Sequence, residues 1–204
     1  RAIVHMTIPS IVLMENAALG VVDALGERFA EASEVVVFCG TGNNGGDGLA
    51  VARHLLARDY RVLAVLVRND RPVQGDPRLQ LDICKNLGVP LLELPEGSDL
   101  EEVLEAAAQA DVVVDALFGT GLGRPLEGWW AELVQGLNRV GRRMVAVDIP
   151  SGLEGSRGEV LGPHVIADLT VTFVAPKHAH VFPPACEACG ELAVADLGLP
   201  PFLL

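Results

Sequence analysis

The sequence predicts a Rossmann-like α/β domain: a three-layer sandwich built on a mostly parallel sheet with helices on both faces. Three observations point there. Short apolar runs recur and each ends in glycine or aspartate: Val35-Val36-Val37-Phe38-Cys39 before Gly40, Val112-Val113-Val114 before Asp115, and Met144-Val145-Ala146-Val147 before Asp148. Runs without polar alternation belong to strands buried on both faces. Segments with helical spacing separate them, and such alternation gives parallel sheets. The composition agrees, since half of the 204 residues are hydrophobic but only 4% are aromatic, leaving Val, Leu, Ala and Ile to fill the core.

The elements follow in order. The first 32 residues read as helical, because Pro9 and Ser10 open a segment in which Ile11, Met14, Ala18, Val21 and Leu25 recur at helical spacing. After the strand at 35–39 and a glycine-rich turn comes a helix over 49–58, then a strand over 61–66. A helix over 79–87 leads to a short strand at 89–92, and an Ala/Glu-rich helix over 99–110 to the strand at 112–115. Residues 130–137 are helical and 144–148 form a strand that ends in an acid. Beyond Ser151 the strands at 169–173 and 192–195 have little helix between them. No internal repeat or low-complexity linker divides the chain, so residues 1–204 read as one domain.

Composition excludes several classes of function. A net charge of −12 argues against nucleic acid, which needs clustered Lys and Arg. Any anionic ligand must be held by backbone N–H groups and helix N-termini instead. No apolar run reaches the roughly 18 residues of a membrane span, and no stretch reads as a secretory signal, so a cytoplasmic location is expected. Cys39 and Cys84 lie in apolar contexts and read as buried thiols. Cys186 and Cys189, with His178 and His180 upstream, read as a structural loop, with a metal or redox site as the alternative. Only two of the 15 basic residues are lysines, Lys85 and Lys177.

Four motifs carry chemistry, and three of them fall at strand ends, where ligands bind in open α/β sheets. The first is Gly40-Thr41-Gly42-Asn43-Asn44-Gly45-Gly46-Asp47-Gly48, whose first six residues satisfy G-x-G-x-x-G between a strand and a helix. A turn serving only the fold is the alternative, but five glycines and two asparagines offer more backbone amides than a turn requires. An ordinary dehydrogenase is disfavoured. Asp47 at the helix start would repel a pyrophosphate, and Val67 and Arg68 stand where an acid would hold a ribose hydroxyl. The second motif is Asp115 at a strand end with the loop Gly119-Thr120-Gly121-Leu122-Gly123-Arg124-Pro125, whose amides and guanidinium suit phosphate. The third, Asp148-Ile149-Pro150-Ser151-Gly152, places a carboxylate at a strand end for acid–base work or, alternatively, for capping the turn. The fourth is Pro176-Lys177.

Taken together, Gly42 to Leu49 with Ala52-Arg53-His54, Leu13 to Ala17, Asp115 to Pro125, Asp148 to Gly152, Thr170 to Phe173 and Pro176-Lys177 resemble the NAD(P)H-hydrate epimerase family, the YjeF N-terminal domain. The resemblance covers nearly the whole chain in family order. It implies that Asn43, Asn44, Gly45, Gly46, Asp47, the loop Gly119 to Pro125 and Asp148 bind substrate. It also implies that Asn44, Asp115 and Ser151 hold one potassium ion, and that Asp148 and Lys177 form the catalytic pair. Amide, carboxylate and hydroxyl oxygens from three loops suit a hard cation. The family commonly has glycine soon after its Pro-Lys, whereas His178-Ala179-His180 follow here, and the first helix begins short. His54 reads as structural, and His5 and His164 carry no motif.

The implied reaction interconverts the R and S forms of hydrated NADH or NADPH at nicotinamide C6. The hydroxyl must leave to give an iminium, or the ring must open, and both routes need an acid and a nearby anion. Asp148 supplies both roles in turn, with Lys177 positioning it or shuttling a proton. The nucleotide is substrate, and no redox step occurs. The resemblance also implies a homodimer and a separate dehydratase as functional partner, since a chain stopping at Leu204 leaves no room for that domain. Two other readings are a non-catalytic scaffold of the same fold, disfavoured by Asp115, Asp148 and Lys177, and an NAD-using oxidoreductase.

Overall fold

The computed structural model describes residues 7–200. His5 and residues 201–204 lie outside them; the helix that Pro9 and Ser10 open starts at Ser10 as expected but ends at Arg28, short of residue 32. In chain order the elements are α1 (Ser10–Arg28), β1 (Glu34–Cys39), α2 (Asn43–Leu56), β2 (Arg61–Arg68), α3 (Gly75–Leu87), β3 (Leu91–Pro95) and α4 (Glu101–Gln109). They continue as β4 (Val112–Ala116), α5 (Gly128–Arg139), β5 (Arg143–Val147), β6 (Leu169–Phe173), α6 (His178–Val181), a 3₁₀ turn (Ala185–Ala188) and β7 (Glu191–Ala195).

The strands form one sheet in the order β3-β2-β1-β4-β5-β6-β7, and every pairing is parallel. The late strands β6 and β7 continue the sheet although only α6 and the 3₁₀ turn lie between them. Alternate residues of each strand serve opposite faces. Val35, Val37 and Cys39 pack with α1, α2 and α3, while Val36 and Phe38 pack with α4 and α5. Both faces are therefore covered, as the apolar runs require.

Helix α2 begins six residues earlier than periodicity predicts, so the glycine-rich motif is itself its first turns: Gly46 N–H donates to Gly42 O at 3.0 Å. Periodicity misses this because the first turns lack apolar residues. Two glycines there are required by close approach. A Cβ on Gly45 would lie 1.8 Å from Gly40 O, and one on Gly48 would lie 2.5 Å from Ala116 Cβ. The helix thus presses onto the ends of β1 and β4, which brings its N-terminus to the sheet's carboxyl edge. Helix α3 likewise starts earlier, at Gly75. The strand expected at 89–92 sits at Leu91–Pro95, because Gly88 ends α3 in the left-handed region (φ 71°) and Val89 N–H closes back on Cys84 O at 3.0 Å.

A partly buried polar network ties the three helices of one face. Glu15 on α1 accepts from Arg53 at 2.5 and 2.6 Å and from Gln80 at 2.6 Å, and contacts His54 Nε2 at 2.9 Å. His54 is structural, as its helix position suggested. These bonds hold the Glu15 carboxyl below its ordinary range despite partial burial.

Candidate active site

In this strand order β1 lies between β2 and β4, and the chain leaves β1 in one direction and β4 in the other. That reversal opens a crevice at the carboxyl ends of β1 and β4. A cleft of about 910 Å³ occupies it. Asn43, Asn44 and Asp47 of α2, the loop from Gly119 to Arg124, and Asp148 all face this cleft. Three motifs distant in sequence are thereby joined. Gly45 and Gly46 are buried and face elsewhere, Gly45 against the backbone of Gly40 and Gly46 against Met14 and Pro77. Pro125 lines an adjoining recess of about 390 Å³ that shares Phe118, Leu122, Arg124 and Trp130 with the cleft. Phe118 and Trp130 meet edge to face, 4.9 Å between ring centres, and make an apolar wall.

Asp148 follows β5 directly in the left-handed region (φ 67°), where a non-glycine residue is strained. Hydrogen bonds hold it there. Its N–H donates to Val171 O at 2.8 Å, and Ile149 N–H donates to Val147 O at 2.8 Å. The Asp148 Oδ1 atom accepts from Lys177 Nζ at 2.5 Å and from Thr172 Oγ1 at 3.1 Å. Lys177 Nζ also donates to Thr172 Oγ1 at 2.5 Å and to Phe173 O at 3.2 Å. With Oδ1 engaged, Oδ2 is the carboxylate oxygen left for a ligand. Lys177 does not face the main cleft. It stands behind Asp148 and borders a separate recess of about 320 Å³.

His180 completes the support, a role the sequence did not suggest when it placed this residue in the loop before Cys186. Its Nδ1 accepts the Lys177 N–H at 3.0 Å, and the ring is 7% exposed. Burial and the charge of Lys177 hold its pKa below the ordinary histidine value. The only signal in the sequence was the departure from the family pattern at residues 178–180. Thr172, quoted only as part of a strand, is the other residue missed.

Asp47 faces the same cleft as Asp148. Burial, and then the charge of Asp148, push its carboxyl well above the ordinary range. That shift toward the acid form lessens the repulsion Asp47 would exert on a pyrophosphate. Of two neighbouring carboxyls, one is held by an ammonium and the other is driven toward its acid form.

Beneath the second loop, Asp115 is fully buried and its hydrogen-bond donors are all neutral. Ser151 N–H donates to Oδ2 at 2.7 Å, and Ser151 Oγ and Leu117 N–H donate to Oδ1 at 2.6 and 3.2 Å. Burial raises its pKa to about 6 against the effect of these bonds. Phe118 O lies 3.2 Å from Ser151 Oγ, and Asn44 Oδ1 lies 3.5 Å from where a Gly119 Cβ would stand. The Asp115 carboxylate, the Ser151 hydroxyl and the Phe118 carbonyl therefore meet around a buried acid, with the Asn44 amide beside the loop at Gly119. This donor set fits a hard cation of low charge.

The cysteine and histidine segment resolves differently. Cys189 is buried, and its thiol donates to Ala179 O and Ala185 O at 3.5 Å each. His178 contacts Ser156 O at 2.5 Å. Among the described residues no three His, Cys, Asp or Glu side chains converge as metal ligands. Cys39 and Cys84 are buried free thiols. No helix among the described residues is long and apolar enough to cross a membrane.

A parallel sheet with its cleft at the topological reversal, glycine loops on two sides and a held carboxylate define an α/β domain of Rossmann-like type. Residues 10–179 match the family model described as YjeF-related protein N-terminus, and the chain belongs to that family. It is 45% identical over 95% of its length to the bifunctional NAD(P)H-hydrate repair enzyme Nnr of Moorella thermoacetica, of which it spans 37%. It is 38% identical over 93% of its length to the NAD(P)H-hydrate epimerase of Limosilactobacillus fermentum, covering 86% of that protein. The crystal structure of yeast YNL200c shares the fold, with a TM-score of 0.75 at 24% identity over 93% of this chain and 84% of that one.

Proposed function

We propose that this chain is an isomerase that interconverts the R and S forms of hydrated NADH and NADPH at nicotinamide C6. The observation that carries it is Asp148: a carboxylate lining the cleft on a strained backbone, fixed through Oδ1 by Lys177 and Thr172, which leaves Oδ2 for a ligand. The pyrophosphate lies against the first turn of α2 and the amides of residues 119–123, as an anion does at a helix N-terminus. The tetrahydropyridine ring then reaches Asp148. Asp47, whose carboxyl burial and the charge of Asp148 push toward the acid form, gives a proton to the departing C6 hydroxyl, and water leaves. The Asp148 carboxylate stabilises the positive charge left on N1 and C6. Water returns to the opposite face of C6 and gives up a proton to the carboxylates, which restores the starting state and inverts the centre. Lys177, which holds Asp148 from behind, is a positioning residue.

Asn44, Asp115 and Ser151 would hold a potassium ion, which supplies positive charge under the second loop. Relatives named bifunctional join this domain type to further chain, which supports a dehydratase as the functional partner. A homodimer is part of the same reading. Replacing Asp148 by Asn keeps the shape but removes the negative charge and the proton-accepting oxygen, and should lower the rate above background by about 10²–10⁴-fold while nucleotide binding persists. Lys177→Met should lower the rate, and the two losses should be less than additive. A folded Asp148→Asn protein with near wild-type turnover would remove this carboxylate from the mechanism.

A further inference from the structure

When a pyrophosphate lies on the first turn of the helix after β1, the adenosine ribose of the dinucleotide falls over the end of β2. An acid at that place selects a free 2′-hydroxyl, and an arginine accommodates a 2′-phosphate. Here β2 ends at Arg68, whose guanidinium is occupied by Glu93 at 2.6 Å. Three residues on, Arg71 faces the cleft, and its backbone N–H donates to Asn69 Oδ1 at 2.9 Å, which fixes the turn that presents it. From the loop after β4, on the other side of β1, Arg124 faces the same cleft.

Arg71 and Arg124 form no ion pair among the described residues, whereas eight other arginines do. Three carboxylates, Asp70, Glu96 and Glu127, share the outer recess with them, but none lies within ion-pair distance of either guanidinium. The carboxylates line the outer recess alone, while the two arginines line it and the main cleft. The main cleft thus holds the carboxylates Asp47 and Asp148 and the guanidiniums Arg71 and Arg124, while Asp70, Glu96 and Glu127 line only the adjoining recess. With a net charge of −12 the molecule as a whole does not attract a more anionic ligand, so selection of one has to be local.

We propose that Arg71, backed by Arg124, binds the 2′-phosphate of the dinucleotide and gives this site a preference for hydrated NADPH over hydrated NADH. The inference rests on the epimerase reading for its substrate, though the phosphate contact is separable from the chemistry. Charge-assisted hydrogen bonds from guanidinium to phosphate are the strong kind, and losing one shifts affinity on the order of tenfold.

The test uses the chain as it is. The kcat/KM values for hydrated NADPH and NADH are compared, and NADP⁺ and NAD⁺ are titrated separately by calorimetry or by the fluorescence of Trp130 in the cleft. The expected result is a preference on the order of tenfold for the phosphorylated partner in both measurements. In Arg71→Gln that ratio falls toward one, the loss being carried by the phosphorylated ligand; Arg124→Gln moves it the same way by less. Equal use of both hydrates, a preference for hydrated NADH, or an unchanged ratio in Arg71→Gln overturns the proposal while leaving the epimerase reading intact. Tighter binding of NADP⁺ that depends on Arg71, without epimerisation of either hydrate, supports the phosphate site and refutes the epimerase reading.

Discussion

Asp115 has no access to solvent and only neutral hydrogen-bond donors, and burial lifts its pKa to about 6. The unfolded chain releases that proton near pH 4, whereas the folded protein keeps it until about pH 6. Stability therefore falls as pH rises through this window and levels off above it. The fall is on the order of 3 kcal/mol for a shift of roughly two pH units. A potassium ion on the ionised carboxylate restores part of it, because binding only to the folded state stabilises that state. Urea unfolding at pH 4 and 7, in tetramethylammonium and in potassium chloride, measures this directly. The effect is read as the difference between wild type and Asp115→Asn, since Asp47 adds a slope of the same sign. An identical slope in the variant, or no specific effect of potassium, would show that Asp115 is only a capping residue.

At the scale of the element, helix α2 decides whether the site exists. Its first turns must touch the end of β1, so Gly45 has no room for a methyl group: the obstructing atom is the Gly40 carbonyl oxygen, which cannot move aside as a side chain would. Gly to Ala inside a helix ordinarily gains up to about 1 kcal/mol. Gly45→Ala should instead cost about 1–3 kcal/mol or more by overpacking, and displace Asn43 and Asn44 from the cleft. A stabilised variant by denaturant unfolding would contradict this packing. The strands were legible from sequence because burial on both faces leaves unbroken apolar runs such as residues 35–39 and 112–114. The start of α2 was not, because Asn43 to Gly48 contain no apolar residue to carry a period. Asp115 and Asp148 stood out as chemical groups at strand ends, and Lys177 through the family resemblance. The order among them was hidden: that Lys177 supports Asp148 from behind, and that His180 supports Lys177, depends on a crossover whose path no spacing records. Arg71 was invisible for the same reason, since its partner across the cleft lies 53 residues further along the chain.

At the scale of the molecule, seven parallel strands deliver the ends of β1, β2, β4, β5 and β6 to one edge, and each contributes a group to one cleft or its support. The central claim is that this assembly inverts one carbon centre and does nothing else to the nucleotide. One measurement tests it most directly. A single purified epimer of hydrated NADH is incubated with the chain in potassium buffer, and the R form, the S form and NADH are separated chromatographically over time. The two epimers should reach their equilibrium ratio well ahead of the slow reaction in buffer alone, with their sum constant and no NADH formed. A ratio that changes no faster than in buffer would contradict the epimerase reading.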